Sequence, residues 1–300
     1  MYFLFLGICF LLSNTIWATS LHVERLESQP GATQAGSLAY WQVNDFEGVE
    51  FPIHVIRVDL KAPEIRVSVS AESPAKDPDS GKAITREPKA AAHDAGMVAA
   101  INANAFAEGS GVLSRIAGVA PGKAVELYGD AMANGVFFPG KFDPYAGSLW
   151  SDADNVIHVA ELEEGALAKM PGVTNAVTGF HQLIRNSKVL DWGAAEDENA
   201  QRIARTAAGI SNKNEFLYLV VAEGKHGVFS KSGFTEPAIA RFMASLGCVE
   251  ALMFDGGGSS SMVADFGDGL ELVNHPADRL TRPVPVMLGV VGIGEEARSK

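Results

Sequence analysis

The run Phe254-Asp255-Gly256-Gly257-Gly258-Ser259-Ser260-Ser261-Met262-Val263 is the densest group of chemistry-bearing residues in the chain. A carboxylate closes an apolar stretch, three glycines follow whose N–H groups can converge on an oxyanion, and three hydroxyls come next. The run lacks the Gly-Lys-Ser/Thr ending of a nucleotide phosphate loop and contains no Gly-x-Ser-x-Gly elbow for a nucleophile. As nucleophiles, Ser259, Ser260 and Ser261 would need a base, and the seven histidines offer no spacing that selects one. A flexible Gly/Ser turn is the competing reading.

Four further groups carry polar chemistry. Asn102 and Asn104 end the apolar run 97–101, where their amides either hold sugar hydroxyls or a phosphoryl oxygen, or close a turn. Arg205 opens an apolar segment; its planar guanidinium suits bidentate phosphate recognition, with an ordinary ion pair as the alternative. Glu223, Lys225 and His226 place a carboxylate and a cation after the apolar run 216–221. Asn274-His275-Pro276 and Thr281-Arg282-Pro283 flank a loop before the last apolar run. Zinc is unsupported, because there is no cysteine pair and no His-x-x-x-His.

The elements that position these groups are mostly strands. Residues 53–58 and 65–69 alternate with a period near two across a turn at 62–64. Residues 73–82 read as a loop, and 88–95 as a short helix stopped by Gly96. Strands are predicted at 97–101, 135–138, 156–159, 216–221, 251–254 and 284–293, with 143–154 as a turn-rich connection. Thr235 caps a second helix with Glu236 and Pro237 in its first turn, an apolar face of Ile239, Phe242, Met243 and Leu246, and a stop at Gly247. There is no repeat and no linker. The sum is one α+β domain, a mixed or antiparallel sheet with few helices, after an N-terminal signal peptide.

Composition bounds the function. The 300 residues carry 24 Lys+Arg against 36 Asp+Glu, a net charge of -12, which argues against a nucleic-acid or anionic-membrane binder. Hydrophobic residues make up 47%, so a core can form. Glycine, at 31 residues, is in excess and points to turns, bulges and binding loops. The unbroken apolar run 2–12 is too short to span a bilayer and fits a secretory signal with cleavage after Ala18. Cys9 would leave with it, and Cys248 reads as a core residue.

Taken in order, the motifs resemble the phosphodiester glycosidase family. An Asn-Gly-Gly-Phe-like motif is Asn102-Ala103-Asn104-Ala105-Phe106, and Asn-Ala-Val-x-Gly with a later Asn-x-Lys is Asn175 to Gly179 and Asn186-Ser187-Lys188. Arg-Thr-Ala-x-Gly begins at Arg205-Thr206-Ala207, and a Val-Val-Asp-Gly-Arg-like segment at Val220-Val221 reaches Glu223-Gly224-Lys225. The hallmark Leu-Asp-Gly-Gly-Gly-Ser-Ser is matched from Phe254 to Ser260, and Asn-x-Pro and Arg-Pro-Val by Asn274-His275-Pro276 and Arg282-Pro283-Val284. The departures are Ala103-Asn104 for Gly-Gly, and Glu223 with Lys225 for Asp with Arg.

The resemblance implies a domain over 53–293, after a signal at 1–18 and a lead-in at 19–52, with a tail at 294–300. It implies hydrolysis of the bond between a sugar's anomeric carbon and a phosphodiester oxygen, by an exported protein that is periplasmic or secreted. Asp255 is then nucleophile or base, or the carboxylate facing the developing positive charge, Glu223 the second carboxylate, and Asn102 the group that orients sugar hydroxyls. Arg205, Thr206, the amides of Gly256, Gly257, Gly258 and Ser259, and Ser260 hold the substrate, with Lys225, Asn274 and Arg282 beside them. No cofactor is required; alternatively, Asp255 and Asn102 hold Ca²⁺ or Mg²⁺. The expected partner is a carbohydrate or glycan phosphate, with no nucleic acid and no membrane span once the signal is removed. A silent glycan-binding protein, or a scaffold in polysaccharide export, is the competing class.

Overall fold

Runs of β-branched and aromatic residues between glycine- and asparagine-rich turns favour strands over most of the chain. The computed structural model describes residues 21–31, 36–107, 119–190, 201–226, 231–278 and 280–293. The expected signal at 1–18, including Cys9, and the tail at 294–300 lie outside them. Ten strands make the framework: β1 (Leu38–Val43), β2 (Ile53–Asp59), β3 (Ile65–Ala71), β4 (Met97–Asn102), β5 (Gln182–Arg185), β6 (Arg205–Ser211), β7 (Phe216–Ala222), β8 (Cys248–Met253), β9 (Met262–Asp265) and β10 (Val286–Gly292).

They form two facing sheets. The first has the order β1-β2-β7-β6-β8-β5, antiparallel throughout, and is extended to eight strands by Glu24–Arg25 and Lys188–Val189 at its edges. The second runs β9-β4-β10-β3, with Leu270–Leu272 outside β9. Ile56, Val58, Leu217 and Leu219 of the first sheet meet Val67, Val69, Ile101 and Leu288 of the second in the main core. Each outer face carries one helix. α1 (Pro88–Asp94) lays Ala91 and Ala92 on Met97, Ala100 and Met287. α2 (Glu236–Ser245) lays Ile239, Phe242 and Met243 on Val55, Val220 and Ala251. These are the only α-helices among the described residues, as the α+β reading expects.

α2 begins where its sequence says it should. Thr235 Oγ1 accepts from the Ala238 N–H at 3.3 Å, a cap that contributes about 1 kcal/mol, and Gly247 ends the helix in the left-handed region at φ 84°. Burying Ile239 and Phe242 adds about 2–3 kcal/mol each. Cys248 packs in the same cluster, and burial pushes its thiol up, as a core residue requires.

Two features departed from the sequence pattern. Residues 143–154, expected as a turn-rich connection, contain the strand Gly147–Ser151, which pairs on one side with Ile157–Glu161 and on the other with Asn175–Thr178. Its glycine and serines mask the signal; only Leu149 enters the core. With Ala131–Ala133 and Val136–Phe138 these strands make a third sheet. That sheet meets the free edge of β3 through side chains: Asn155 Oδ1 accepts from Val67 N at 2.8 Å and Asn175 Oδ1 from Val69 N at 2.9 Å. The exposed ladder of an edge strand is thereby satisfied and blocked. In the segment read as a lead-in, β1 pairs with β2 over six residues.

Candidate active site

Register assembles the site. Across the first sheet, Gln42 lies opposite His54, His54 opposite Val221 and Val221 opposite Thr206. Alternation turns His54 and Thr206 toward the second sheet, and Glu223, just past the end of β7, lies on that same face. The second sheet delivers Asn102 from the end of β4. Between the ends of β8 and β9 runs the Asp255 to Ser261 loop.

Two buried asparagines pin that loop. Asn102 Nδ2 donates to Asp255 O at 2.8 Å, while its Oδ1 accepts from Ser261 N at 3.0 Å and from Thr206 Oγ1 at 2.8 Å. Asn274 Nδ2 donates to Ser260 O at 3.0 Å and its Oδ1 accepts from Met262 N at 2.8 Å. Asp255 N donates to Ala103 O and Gly257 N to Ala204 O, at 3.1 and 2.8 Å. Gly257 sits at φ 59°, where a side chain would be strained, and Gly257–Ser259 forms a 3₁₀ turn.

What the loop presents is specific. Its turn consumes the amides of Ser259 and Ser260 on Gly256 O and Gly257 O. The Gly256 and Gly258 amides have no partner among the described residues. The hydroxyls of Ser259, Ser260 and Ser261 are buried and have no hydrogen-bond partner among the described residues. Arg282 Nη2 donates to Asp278 Oδ2 at 2.8 Å, and this pair lies directly on Gly258: a Cβ there would come within 1.8 Å of Asp278 Oδ2 and 2.5 Å of Arg282 Nη2. Lys225 is exposed, and the short strand Lys225–His226 packs against the 3₁₀ turn.

Glu223 is held as firmly as the loop. Its Oε1 accepts from His54 Nε2 at 2.9 Å, from His275 N at 2.7 Å and from His275 Nδ1 at 3.1 Å. Burial by itself would raise the carboxyl, but the His54 and His275 hydrogen bonds outweigh it and hold Glu223 below the usual carboxylate range. Behind His54, the Tyr40 hydroxyl meets Nδ1 at 2.9 Å.

Arg205 is occupied differently from the sequence expectation. It points to the opposite face of β6 from Thr206, toward α2. There Nε donates to Phe234 O at 3.1 Å, Nη2 to Gln201 O at 2.7 Å and Nη1 to Glu236 Oε1 at 3.2 Å. Burial lowers its pKa, an effect that Glu236 opposes. Asn102 has likewise committed both lone pairs of Oδ1 to protein donors, which a cation would have to displace. Among the described residues no three His, Cys, Asp or Glu side chains gather as a metal site.

The matching family model, phosphodiester glycosidase, covers residues 95–291, about two thirds of the chain. The chain belongs to the phosphodiester glycosidase family. Among solved structures it is similar to the zebrafish N-acetylglucosamine-1-phosphodiester alpha-N-acetylglucosaminidase catalytic domain, auto-inhibited by its pro-peptide, at 16% identity over 86% of this chain and 85% of that one, with a TM-score of 0.62. A hypothetical protein of Synechocystis follows at 14% identity, 85% and 64% coverage and a TM-score of 0.53. A Burkholderia pseudomallei protein whose name suggests export matches at 14% identity, 81% and 74% coverage and a TM-score of 0.51. A search of curated proteins finds no match.

For this phosphodiester glycosidase family member, the geometry groups Asp255, the glycine and serine loop, Asn102, Thr206, Asn274, Glu223, Lys225 and Arg282 around one end of the two sheets, with Arg205 behind the first sheet. Tyr40, His54 and Asp278 were absent from the sequence-based set, and Ser261 and His275 entered it only as members of the Gly/Ser run and of Asn274-His275-Pro276. One signal for His54 was present: in Ile53-His54-Val55-Ile56-Arg57-Val58 it is a polar residue on the face that Ile56 and Val58 mark as core.

Proposed function

We propose that the protein is an exported glycoside hydrolase that cleaves the bond between a sugar's anomeric carbon and a phosphodiester oxygen. Family membership supports the reaction class. The observation that carries the reading is the pinned loop after Asp255, in which three buried serine hydroxyls and two glycine amides have no partner among the described residues. Such preorganised donors suit an oxyanion. A phosphodiester carries one negative charge, and in a chain of net charge -12 it needs local cations. Exposed Lys225 supplies one. Arg282, which shares its place over Gly258 with its ion-pair partner Asp278, supplies another once the phosphate competes with that carboxylate, while Arg205 fastens the sheet to α2.

The reaction balances simply. The C1–O bond to phosphorus breaks, and its electron pair leaves on the phosphate oxygen, giving a phosphate monoester. Water supplies the new oxygen at C1, and Glu223 takes its proton. Asp255 faces the positive charge that develops at C1. Because the phosphodiester is a good leaving group, charge stabilisation matters more than acid assistance. Export is supported by the apolar run 2–12, by the name of the Burkholderia structure, and by the described residues, none of whose helices is long and apolar enough to cross a membrane.

The test is release of reducing sugar from a panel of sugar-1-phosphodiesters by the purified protein and by Asp255→Asn. Turnover should fall by at least about a hundredfold in the variant, with the unfolding midpoint preserved. Undiminished turnover in Asp255→Asn removes Asp255 from the chemistry. Tight binding of the panel without turnover replaces the hydrolase by a glycan-binding protein.

A further inference from the structure

Side chains from four separated segments, three of them buried, join into one hydrogen-bonded line. It starts at Tyr40 on β1, passes through His54 on β2 to Glu223 beyond β7, and ends at His275, whose side chain is 90% exposed. Tyr40 and His54 are almost wholly enclosed, at 6% and 3% exposure, and both precede the part of the chain that the family model covers. A histidine and a tyrosine hydroxyl inside an apolar core cost stability unless each polar atom is used. Here they are used in one direction. The Tyr40 hydroxyl also lies 3.4 Å from Gln42 Oε1, but its one proton serves the shorter contact. With Glu223 ionised, a neutral His54 ring satisfies both of its contacts only when the Tyr40 O–H donates to Nδ1 and Nε2–H donates to Glu223.

The consequence falls on one atom. His54 Nε2 and both His275 donors converge on Glu223 Oε1, so that oxygen is saturated. Glu223 Oε2 has no partner among the described residues and is the oxygen left for chemistry. We propose that His54, braced by Tyr40, is a positioning residue that fixes Glu223 with Oε2 as the atom that takes the proton from water. This rests on the hydrolase reading given above. Glu223 must be ionised to act as a base, and the facing groups determine where that ionisation falls. They are His54 behind it, then Tyr40 with Arg25 and Glu271 around the phenol, and His275 in front. Without the His54 contact, burial is less opposed and the carboxyl titrates at higher pH. His275 gives the acquired proton a route to solvent.

The experiment reads Glu223 directly. In protein labelled at the glutamate side-chain carboxyl carbon, the Glu223 resonance is assigned by its loss in Glu223→Gln. It is then titrated without substrate in the wild type, His54→Phe and Tyr40→Phe. We expect the midpoint to rise by about one unit in His54→Phe and by less in Tyr40→Phe. The acid limb of kcat/KM against pH should rise by the same amounts. Relative to the wild type, His54→Phe should lose further activity as pH falls through the two Glu223 midpoints, approaching about tenfold below both of them when compared with pH 7.5. Tyr40→Phe keeps the ring, so it carries the test if His54→Phe does not fold. An unchanged midpoint in the folded variants overturns the positioning role, as does a moved midpoint with an unmoved acid limb. Absence of turnover in the wild type instead removes the hydrolase reading, and the substrate-free midpoints still decide whether His54 controls Glu223.

Discussion

Two histidine–glutamate pairs lie on opposite faces of the first sheet. On the outer face, Glu236 accepts from Arg205 Nη1 at 3.2 Å on Oε1 and from His181 Nδ1 at 3.3 Å on Oε2. On the inner face, Glu223 takes every described donor on Oε1. Residue types are nearly the same, and both carboxyls are held below the ordinary range. The difference is how the donors are shared out. A carboxylate with both oxygens engaged acts as a fastener between sheet and helix, whereas one with a single loaded oxygen retains an atom for a reaction.

Paired substitutions give the largest effects and can break that contrast outright. Glu223→Gln should lower kcat/KM by about a thousandfold, the middle of the range for a general base, and shift stability by no more than about 1 kcal/mol. Glu236→Gln should do the reverse. It leaves Arg205 buried without its counter-charge, at a cost near the lower end of about 3–5 kcal/mol because Glu236 is 27% exposed. Activity per folded molecule should be retained. Chemical unfolding and initial rates on the same preparations decide the matter, and a Glu236→Gln protein that is stable but inactive would invert the assignment of the two faces.

Acidity separates the faces more finely. The His181 hydrogen bond is the chief cause that lowers Glu236, against burial and with Arg205 assisting, and the same bond raises His181. A lowered carboxyl contributes stability above its unfolded value of 4.5 and loses it as pH falls through the folded value. A raised histidine contributes fully below its unfolded value of 6.5 and loses it as pH rises through the folded value. Both contributions are therefore present between those two pH values. His181→Asn should reduce the urea midpoint most near pH 5.5 and least near pH 9. Because His181 is 35% exposed, solvent screening keeps the difference under about 1 kcal/mol. A loss of equal size at both pH values would mean that His181 contributes packing alone.

Much of this frame was legible in the sequence where one segment carries its own signal. The alternation over 53–58 and 65–69, the apolar run 216–221 and the capped helix after Thr235 depend on local periodicity, and β2, β3, β7 and α2 follow it. The Gly/Ser loop was legible because its composition is local too. His54 and Glu223 are 169 residues apart, and only the register of β2 on β7 brings them together. Arg205 shows the same limit in another form. Its type suggested an anion, but strand parity decides which face it serves, and a shift of one residue would exchange it with Thr206. Gly147–Ser151 was hidden because a strand paired on both sides needs few apolar residues when its neighbours supply the core.

The smallest effect is the most discriminating test of the inner face. Thr206 Oγ1 donates to Asn102 Oδ1, and Asn102 is the residue that ties Asp255 O and Ser261 N together. Thr206→Val keeps the β-branched shape but removes that donor, and Asn102 Oδ1 retains only Ser261 N. The cost of one such hydrogen bond is about 1 kcal/mol, or a fall in Tm of about 2–4 °C for a chain of this size. If the inner network exists to present the loop, kcat/KM should fall severalfold beyond what lost stability explains, because both ends of the loop are loosened at once. A protein with the lower Tm and unchanged kcat/KM would make Thr206 a fastener like Arg205 on the other side of the same strand. The contrast between the faces would then rest on Glu223 alone.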